Sequence, residues 1–252
     1  MRRGAPGRVL EAILGLAAVA RCPACDAVVP GRGLCAWCRL RIHPNALPHW
    51  SGSGIPVLDG VPGSGIPVHS PFLHSGAPRD ILIGLKFEGR RPLAREAAQL
   101  MAGSPGELPG RGDLIVPLPL GRRRARERGF NQSALIASAL AGLTGARTAN
   151  VLEREDRPPQ VGLTGAERRR NMEGAFRVRR MPPDAGRIWL LDDVVTTGSS
   201  MDNAARALEE ASVKPYAGIT LTYRSAASDG IIALYRRDTG GIPDEERPAL
   251  RR

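Results

Sequence analysis

The residues best placed to do chemistry lie in one run, Trp189-Leu-Leu-Asp-Asp-Val-Val-Thr-Thr-Gly-Ser-Ser-Met201, preceded by Ile188. An apolar stretch ends in two acids, and a short hydroxyl-rich loop with a single glycine follows at once. Beyond it Met201, Ala204, Leu208 and Ala211 recur at helical spacing. The order predicts a buried strand, a tight turn and a helix N-terminus. Free backbone N–H groups and the positive dipole end of such a helix bind phosphate. Thr196, Thr197, Ser199 and Ser200 add hydroxyl donors, and Gly198 lets a bulky anion come close to the backbone. Asp192 and Asp193, at the strand's carboxyl end, are suited to accept from sugar hydroxyls or to hold a hydrated Mg²⁺. A phosphate site beside a diol site suits a ribose 5-phosphate. The alternative is a strand-to-helix turn whose acids are simply solvated.

All four cysteines share a second window, Cys22-Pro-Ala-Cys25 and Cys35-Ala-Trp-Cys38. Two Cys-x-x-Cys knuckles can offer four thiolates to one tetrahedral Zn²⁺, a closed structural site with no position left for catalysis. Two disulfides are the competing reading. His43, five positions beyond Cys38, is expected to be a loop histidine rather than a substitute ligand.

A third stretch runs Leu114-Ile-Val-Pro-Leu-Pro-Leu-Gly121 and then Arg122-Arg-Arg-Ala-Arg-Glu-Arg128, five arginines in seven residues. An apolar strand should lead into a Pro-x-Pro turn. Arginines at the carboxyl end of a parallel strand would face the same crevice as the acidic loop. By itself, such a run also reads as a solvated or nucleic-acid-facing surface.

The elements that must position these groups follow from pattern and composition. The chain has 252 residues, 42% of them apolar with few aromatics, enough for one α/β domain plus a small accessory module. Its formal charge is +11, carried almost entirely by arginine, which favours polyanionic ligands such as a pyrophosphorylated sugar, a nucleotide or nucleic acid. No run of about eighteen apolar residues is present, so no membrane span is expected. Arg2, Arg3 and the apolar stretch Val9 to Ala20 read either as a secretory leader or, with Glu11 interrupting, as an amphipathic helix. A sugar-phosphate ligand of this kind belongs inside cells, so the expected location is cytoplasmic. The expected division is 1–45, an N-terminal helix and zinc-ribbon-like module; 46–71, a Gly/Pro/Ser-rich linker holding the repeat Gly52–Val57 and Gly63–Val68; 72–224, the α/β domain; and 225–252, a tail disordered from about Gly240. One helical pattern from Ile81 to about Met101 opens the domain. Leu135, Ile136, Ala139, Leu140 and Leu143 form the apolar stripe of a later helix.

The acidic loop closely resembles the phosphoribosyl pyrophosphate (PRPP) loop of the type I phosphoribosyltransferases. Together with Pro117-Leu-Pro119, Arg123-Arg124, Arg126-Glu-Arg-Gly-Phe-Asn-Gln132, Leu85-Lys-Phe-Glu-Gly89, Pro159-Gln160, Arg170-Asn171, Gly174-Ala-Phe176, Thr220-Leu-Thr-Tyr-Arg224 and the four cysteines, it resembles the ComF family over residues 20 to 224. Gly121-Arg122 departs from a His-Pro common there. The resemblance implies a type I phosphoribosyltransferase-like parallel sheet flanked by helices, with a four-cysteine zinc module, and a link to natural competence. It places PRPP on Asp192, Asp193, Thr196, Thr197, Gly198, Ser199 and Ser200. It makes Pro117 to Arg124 the pyrophosphate loop, with Pro117, Leu118, Arg123 and Arg124 its contacts. It makes 156–171 a mobile hood carrying Arg168, Arg169 and Arg170 toward pyrophosphate, where an ordinary basic surface loop is the alternative.

The implied chemistry is Mg²⁺-dependent displacement of pyrophosphate from the ribose anomeric carbon by an acceptor base or amine. Purine enzymes of this class carry an acid where this chain has Thr196, which weakens a 6-oxopurine role. The competing reading is a PRPP-sensing protein whose partner is single-stranded DNA or a protein of the competence machinery. The sequence leaves the acceptor and the oligomeric state open, a homodimer being compatible with it.

Overall fold

A computed structural model describes residues 20–45, 66–155 and 174–224. The expected N-terminal helix, the first copy of the six-residue repeat and the first half of the second, most of the linker, the hood with Arg168, Arg169 and Arg170, and the tail from 225 lie outside the described residues. The described elements run α1 (Ala36–Leu40), β1 (Val68–His69), β2 (Phe72–Leu73), α2 (Gly76–Phe87), α3 (Leu93–Ala102), β3 (Leu114–Pro117), α4 (Arg122–Arg128), α5 (Gln132–Thr144), β4 (Arg147–Thr148), β5 (Leu152–Arg154), β6 (Phe176–Val178), β7 (Ile188–Val195), α6 (Ser199–Glu210) and β8 (Ala217–Tyr223).

Six strands form one parallel sheet in the order β1-β8-β7-β3-β4, with β2 also paired to β8. Val68 pairs with Gly218 and Phe72 with Thr222 in the same register, so β1 and β2 are one edge strand interrupted at Ser70-Pro71. Proline there has no N–H to give the ladder, which confines it to an edge. The sheet thus begins at Val68, inside the stretch read as linker. β5 and β6 form a separate antiparallel pair.

Helices cover both faces, which is why β8 is buried at every position and β7 from Ile188 to Leu191. On one face α2, α3 and α5 pack Ile81, Leu85, Ala97, Met101, Ile136 and Leu140 against Trp189, Leu191 and Ile219. On the other, α6 and the β5–β6 pair set Met201, Ala204, Leu208 and Phe176 against Leu114, Val116 and Leu190. An α/β fold of this type is the expected one. Two local expectations need correcting. The Ile81–Met101 pattern is two helices, because Gly89 takes φ +65 and Pro92 follows before α3 begins. In α5 the buried stripe is Ile136, Ala137, Leu140 and Ala141, while Leu143 is exposed, its face turned from the sheet.

The four-cysteine segment is not a separate bead. Cys22, Cys25 and Cys38 belong to the same core cluster as α2 and α3. The segment is stitched to the start of α2. Arg41 O accepts from Ala77 N at 3.2 Å, Arg41 pairs with Asp80 at 3.5 Å, and His43 Nδ1 meets Ser75 Oγ at 2.6 Å. Gly76 takes φ +52 where a Cβ would stand 1.9 Å from Arg41 O, so no side chain fits that junction. Among the described residues no helix is long and apolar enough to cross a membrane.

Candidate phosphoribosyl site and cysteine cluster

The strand order fixes where a ligand can sit. From β3 the chain goes outward to β4, and from β7 outward to β8, so the crevice beyond the carboxyl ends of β3 and β7 lies at a topological switch point. A cavity of about 520 Å³ opens there, lined by Leu118, Pro119 and Leu120 after β3, and by Asp192, Asp193, Thr196 and Ser200 from β7 and its loop. Among the described residues, five cationic side chains, Lys86, Arg124, Arg128, Arg154 and Arg224, line it with only those two carboxylates, leaving an excess of positive charge.

Each part of the loop has a local cause. β7 ends at Val195, Gly198 takes φ +74 as the N-cap position, and α6 starts at Ser199. Gly198 supplies the left-handed turn that lets strand become helix within three residues. Among the described residues no side chain caps α6, so none of them supplies a capping oxygen to its first N–H groups. Thr197 Oγ1 and Ser199 Oγ lie 2.9 Å apart on the exposed side, while Thr196 and Ser200 face the cavity.

The two acids are held differently. Asp192 Oδ1 accepts from Ser133 Oγ at 3.0 Å and from Asp193 N at 2.9 Å. It keeps some exposed surface yet is closely surrounded by protein. Burial, then the Asp193 charge, pushes its carboxyl up to about 7, against the pull of those two hydrogen bonds and Lys86. Asp193 is 4% exposed, and Lys86 Nζ stands 2.9 Å from its Oδ2 as a charge contact. That oxygen has no aligned hydrogen bond. Two adjacent acids, one ion-paired and one held nearer neutral, offer oxygens to diol or hydrated cation.

On the opposite wall the turn after β3 is fixed by Leu118 N donating to Leu191 O at 2.9 Å. Asn131 Nδ2 donates to Leu118 O at 3.0 Å while Asn131 Oδ1 caps α5 through Ser133 N. The stretch Pro117 to Arg124 is therefore not one loop: Pro117 ends β3, four residues turn, and Arg122 starts α4. No residue of α4 is buried. Helical spacing separates its arginines. Arg124 and Arg128 line the cavity, whereas Arg123 is 82% exposed and paired with Glu127 at 2.8 Å. Leu118 lines the cavity; Pro117 lies behind it in the strand.

Several cavity residues lacked a role in the sequence: Lys86, His74, Arg128, Gln132, Phe176 and Arg224. Lys86, Arg128, Gln132, Phe176 and Arg224 each fall in a short stretch that carried the family resemblance, which was the available signal. His74 carried none.

The four cysteines converge. Their Sγ atoms all lie within 4.8 Å of one another, none is in a disulfide, and Cys25 and Cys35 Sγ are 3.6 Å apart. A tetrahedral Zn–S site with bonds of about 2.3 Å needs sulfurs roughly 3.8 Å apart. Backbone N–H groups of Cys35 and Cys38 point at Cys22 and Cys35 Sγ at 3.4 Å each, the arrangement that supports thiolates. Burial, the largest influence, pushes the Cys25 thiol up to about 11 and Cys38 higher still, while hydrogen bonds from backbone N–H groups bring Cys22 down. Four sulfurs this close, three of them buried, cannot all ionise unless a cation offsets them, so the donor set fits Zn²⁺. His43, bound to Ser75, is no part of it.

No family model matches the chain. The DNA utilization protein YhgH of Salmonella typhi is 31% identical over 210 residues, 70% of this chain and 90% of that protein. Competence protein F of Haemophilus influenzae is 32% identical over 106 residues, 40% of this chain and 46% of that protein. Competence protein ComFC of Bacillus subtilis is 29% identical over 109 residues, 40% of each. Taken with the parallel sheet, the acidic loop at its switch point and the cysteine cluster, these similarities establish that the chain belongs to the ComF family.

Proposed function

We propose that the chain binds PRPP in the β3–β7 crevice and transfers its 5-phosphoribosyl group, with Mg²⁺, to a nitrogen acceptor, releasing pyrophosphate. One observation carries the reading: paired acids, a hydroxyl loop and an uncapped helix N-terminus on one wall face Arg124 and Arg128 on the other. The amides of α6 with Thr196, Thr197, Ser199 and Ser200 take the 5-phosphate. Asp192 and Asp193 accept from the ribose hydroxyls, directly or through hydrated Mg²⁺. A Mg²⁺ ion held there would supply positive charge to offset that of the pyrophosphate. Arg124 and Arg128 face that group; a pyrophosphate role for Arg168, Arg169 and Arg170, which lie outside the described residues, belongs to the same proposal. No protein nucleophile is needed. Positioning, charge stabilisation and exclusion of water suffice for an oxocarbenium-like transition state. The zinc module, the 72–224 domain extended back to Val68, and a cytoplasmic location belong to the same proposal.

A second reading has its own support. The relatives are named for DNA utilization and competence. Beside the crevice, Phe87 is 73% exposed with the Arg128 guanidinium 5.3 Å from its ring, next to the unburied arginine helix α4. An exposed aromatic among arginines is a stacking platform for single-stranded nucleic acid, which fits a role in DNA uptake. Calorimetric titration with PRPP and Mg²⁺, followed by pyrophosphate release across a panel of bases and amines, tests the first reading. Oligonucleotide affinity that falls steeply with salt tests the second. PRPP binding without any turnover leaves a sensor acting on DNA; absence of PRPP binding by folded, metal-loaded protein refutes the crevice assignment.

A further inference from the structure

Resting on the transfer reading, the geometry points to His74 as the proton acceptor for the incoming nitrogen nucleophile. When an acceptor N–H attacks the anomeric carbon, the new C–N bond forms as the C–O bond to pyrophosphate breaks. The oxygen keeps that electron pair, and the nitrogen must lose its proton. Among the described residues, the crevice holds few groups able to take it. Lys86 and the four arginines are cations. Asp192 has its Oδ1 engaged by Ser133 and the Asp193 amide, Asp193 is ion-paired to Lys86, and both carboxylates are on the side assigned to the ribose hydroxyls. His74 remains.

Its placement is fixed from two sides. It follows β2 directly, at the carboxyl end of the sheet, and its N–H donates to Tyr223 O at 2.8 Å. Its Nδ1 meets Thr222 Oγ1 at 2.9 Å, a contact to a fully buried side chain 148 positions away. When Nδ1–H donates to that hydroxyl, the Nε2 lone pair is left for the crevice that the residue lines. The proton then passes from acceptor nitrogen to Nε2 and on to solvent.

The surrounding charges link base strength to the donor. Burial first, then Lys86, Arg79 and Arg224, hold the empty-site imidazole down to about 4, with Asp193 opposing. A bound polyanion offsets those cations and raises His74 toward working pH, so the base gains strength when the donor is present.

The test has two readouts. In a ¹³C-histidine NMR titration, PRPP with Mg²⁺ should raise the His74 pKa by one unit or more, while fully buried His69 stays put. In pyrophosphate-release assays over the acceptor panel, His74→Gln should lose roughly 10²–10⁴-fold in kcat, with the loss falling on rate and not on PRPP affinity. The acid limb of the pH profile should vanish, and added imidazole should restore part of the rate to His74→Ala. A folded His74→Gln that keeps wild-type turnover overturns the assignment and leaves the transfer reading intact. A wild type that releases no pyrophosphate with any acceptor removes the transfer reading and the base with it.

Discussion

Replacing Asp192 with asparagine should stabilise the ligand-free protein at pH 8, and the same change one residue later should destabilise it. Asp192 has its carboxyl raised from the ordinary 3.8 to about 7, chiefly by burial and the neighbouring charge. A pKa higher in the folded state means that the folded protein holds more protons between those values. Stability therefore falls as pH rises from about 4 to 7, and the whole penalty is present above 7. At about 1.4 kcal/mol per pKa unit the ceiling is roughly 4 kcal/mol. Asparagine removes the charge and keeps an oxygen for Ser133 Oγ and the Asp193 amide, while its NH₂ must find a new partner. A net gain of about 2 kcal/mol is expected, a rise in Tm of roughly 4–8 °C for a chain of this size. The gain shrinks by pH 5 and disappears near pH 3. In Asp193→Asn, Lys86, with a side chain 17% exposed, loses the counter-ion 2.9 Å away. Removing one partner of a buried pair costs about 3 kcal/mol or more. Both variants should lose PRPP binding. Urea denaturation of metal-loaded, PRPP-free protein at pH 8 and pH 5 measures both differences. The reasoning is refuted if Asp192→Asn destabilises at pH 8, or if its effect is the same at both pH values.

Arg124→Ala should weaken PRPP binding about tenfold, while Arg123→Ala, removing a side chain tied to Glu127 in solvent, should leave calorimetric affinity unchanged. Elemental analysis should find one zinc per chain, and Cys38→Ser should lose it together with several degrees of Tm, since that thiol belongs to the main core. Gly76→Ala forces a Cβ onto Arg41 O and should cost about 3 kcal/mol in denaturant titrations, with Gly89→Ala, whose surroundings are open, as the milder control. Phe87→Ala should weaken oligonucleotide binding by about 1–3 kcal/mol if bases stack there, and leave PRPP affinity alone.

What the sequence determined by itself was whatever is contiguous along the chain. Strand, acids, hydroxyls, glycine and helix stand in order from Ile188 to Glu210, and backbone preference turns that order into a loop with an open helix N-terminus. Two Cys-x-x-Cys pairs in one short window likewise contain the geometry of their cluster. Helical phase was less legible. Five arginines in seven residues read as one basic run, but a 3.6-residue period turns Arg124 and Arg128 toward the crevice and Arg123 away. Tertiary structure alone decided the rest. Lys86 reaches Asp193 because α2 packs beside the carboxyl end of β7, and His74 reaches Thr222 because the first strand of the sheet pairs with the last. The cysteine module joins the main core because only a glycine at 76 lets Arg41 come so close. Strand order sets these contacts. It follows from the burial of whole apolar faces, a property of the chain as a whole that no local pattern near Lys86 or His74 records.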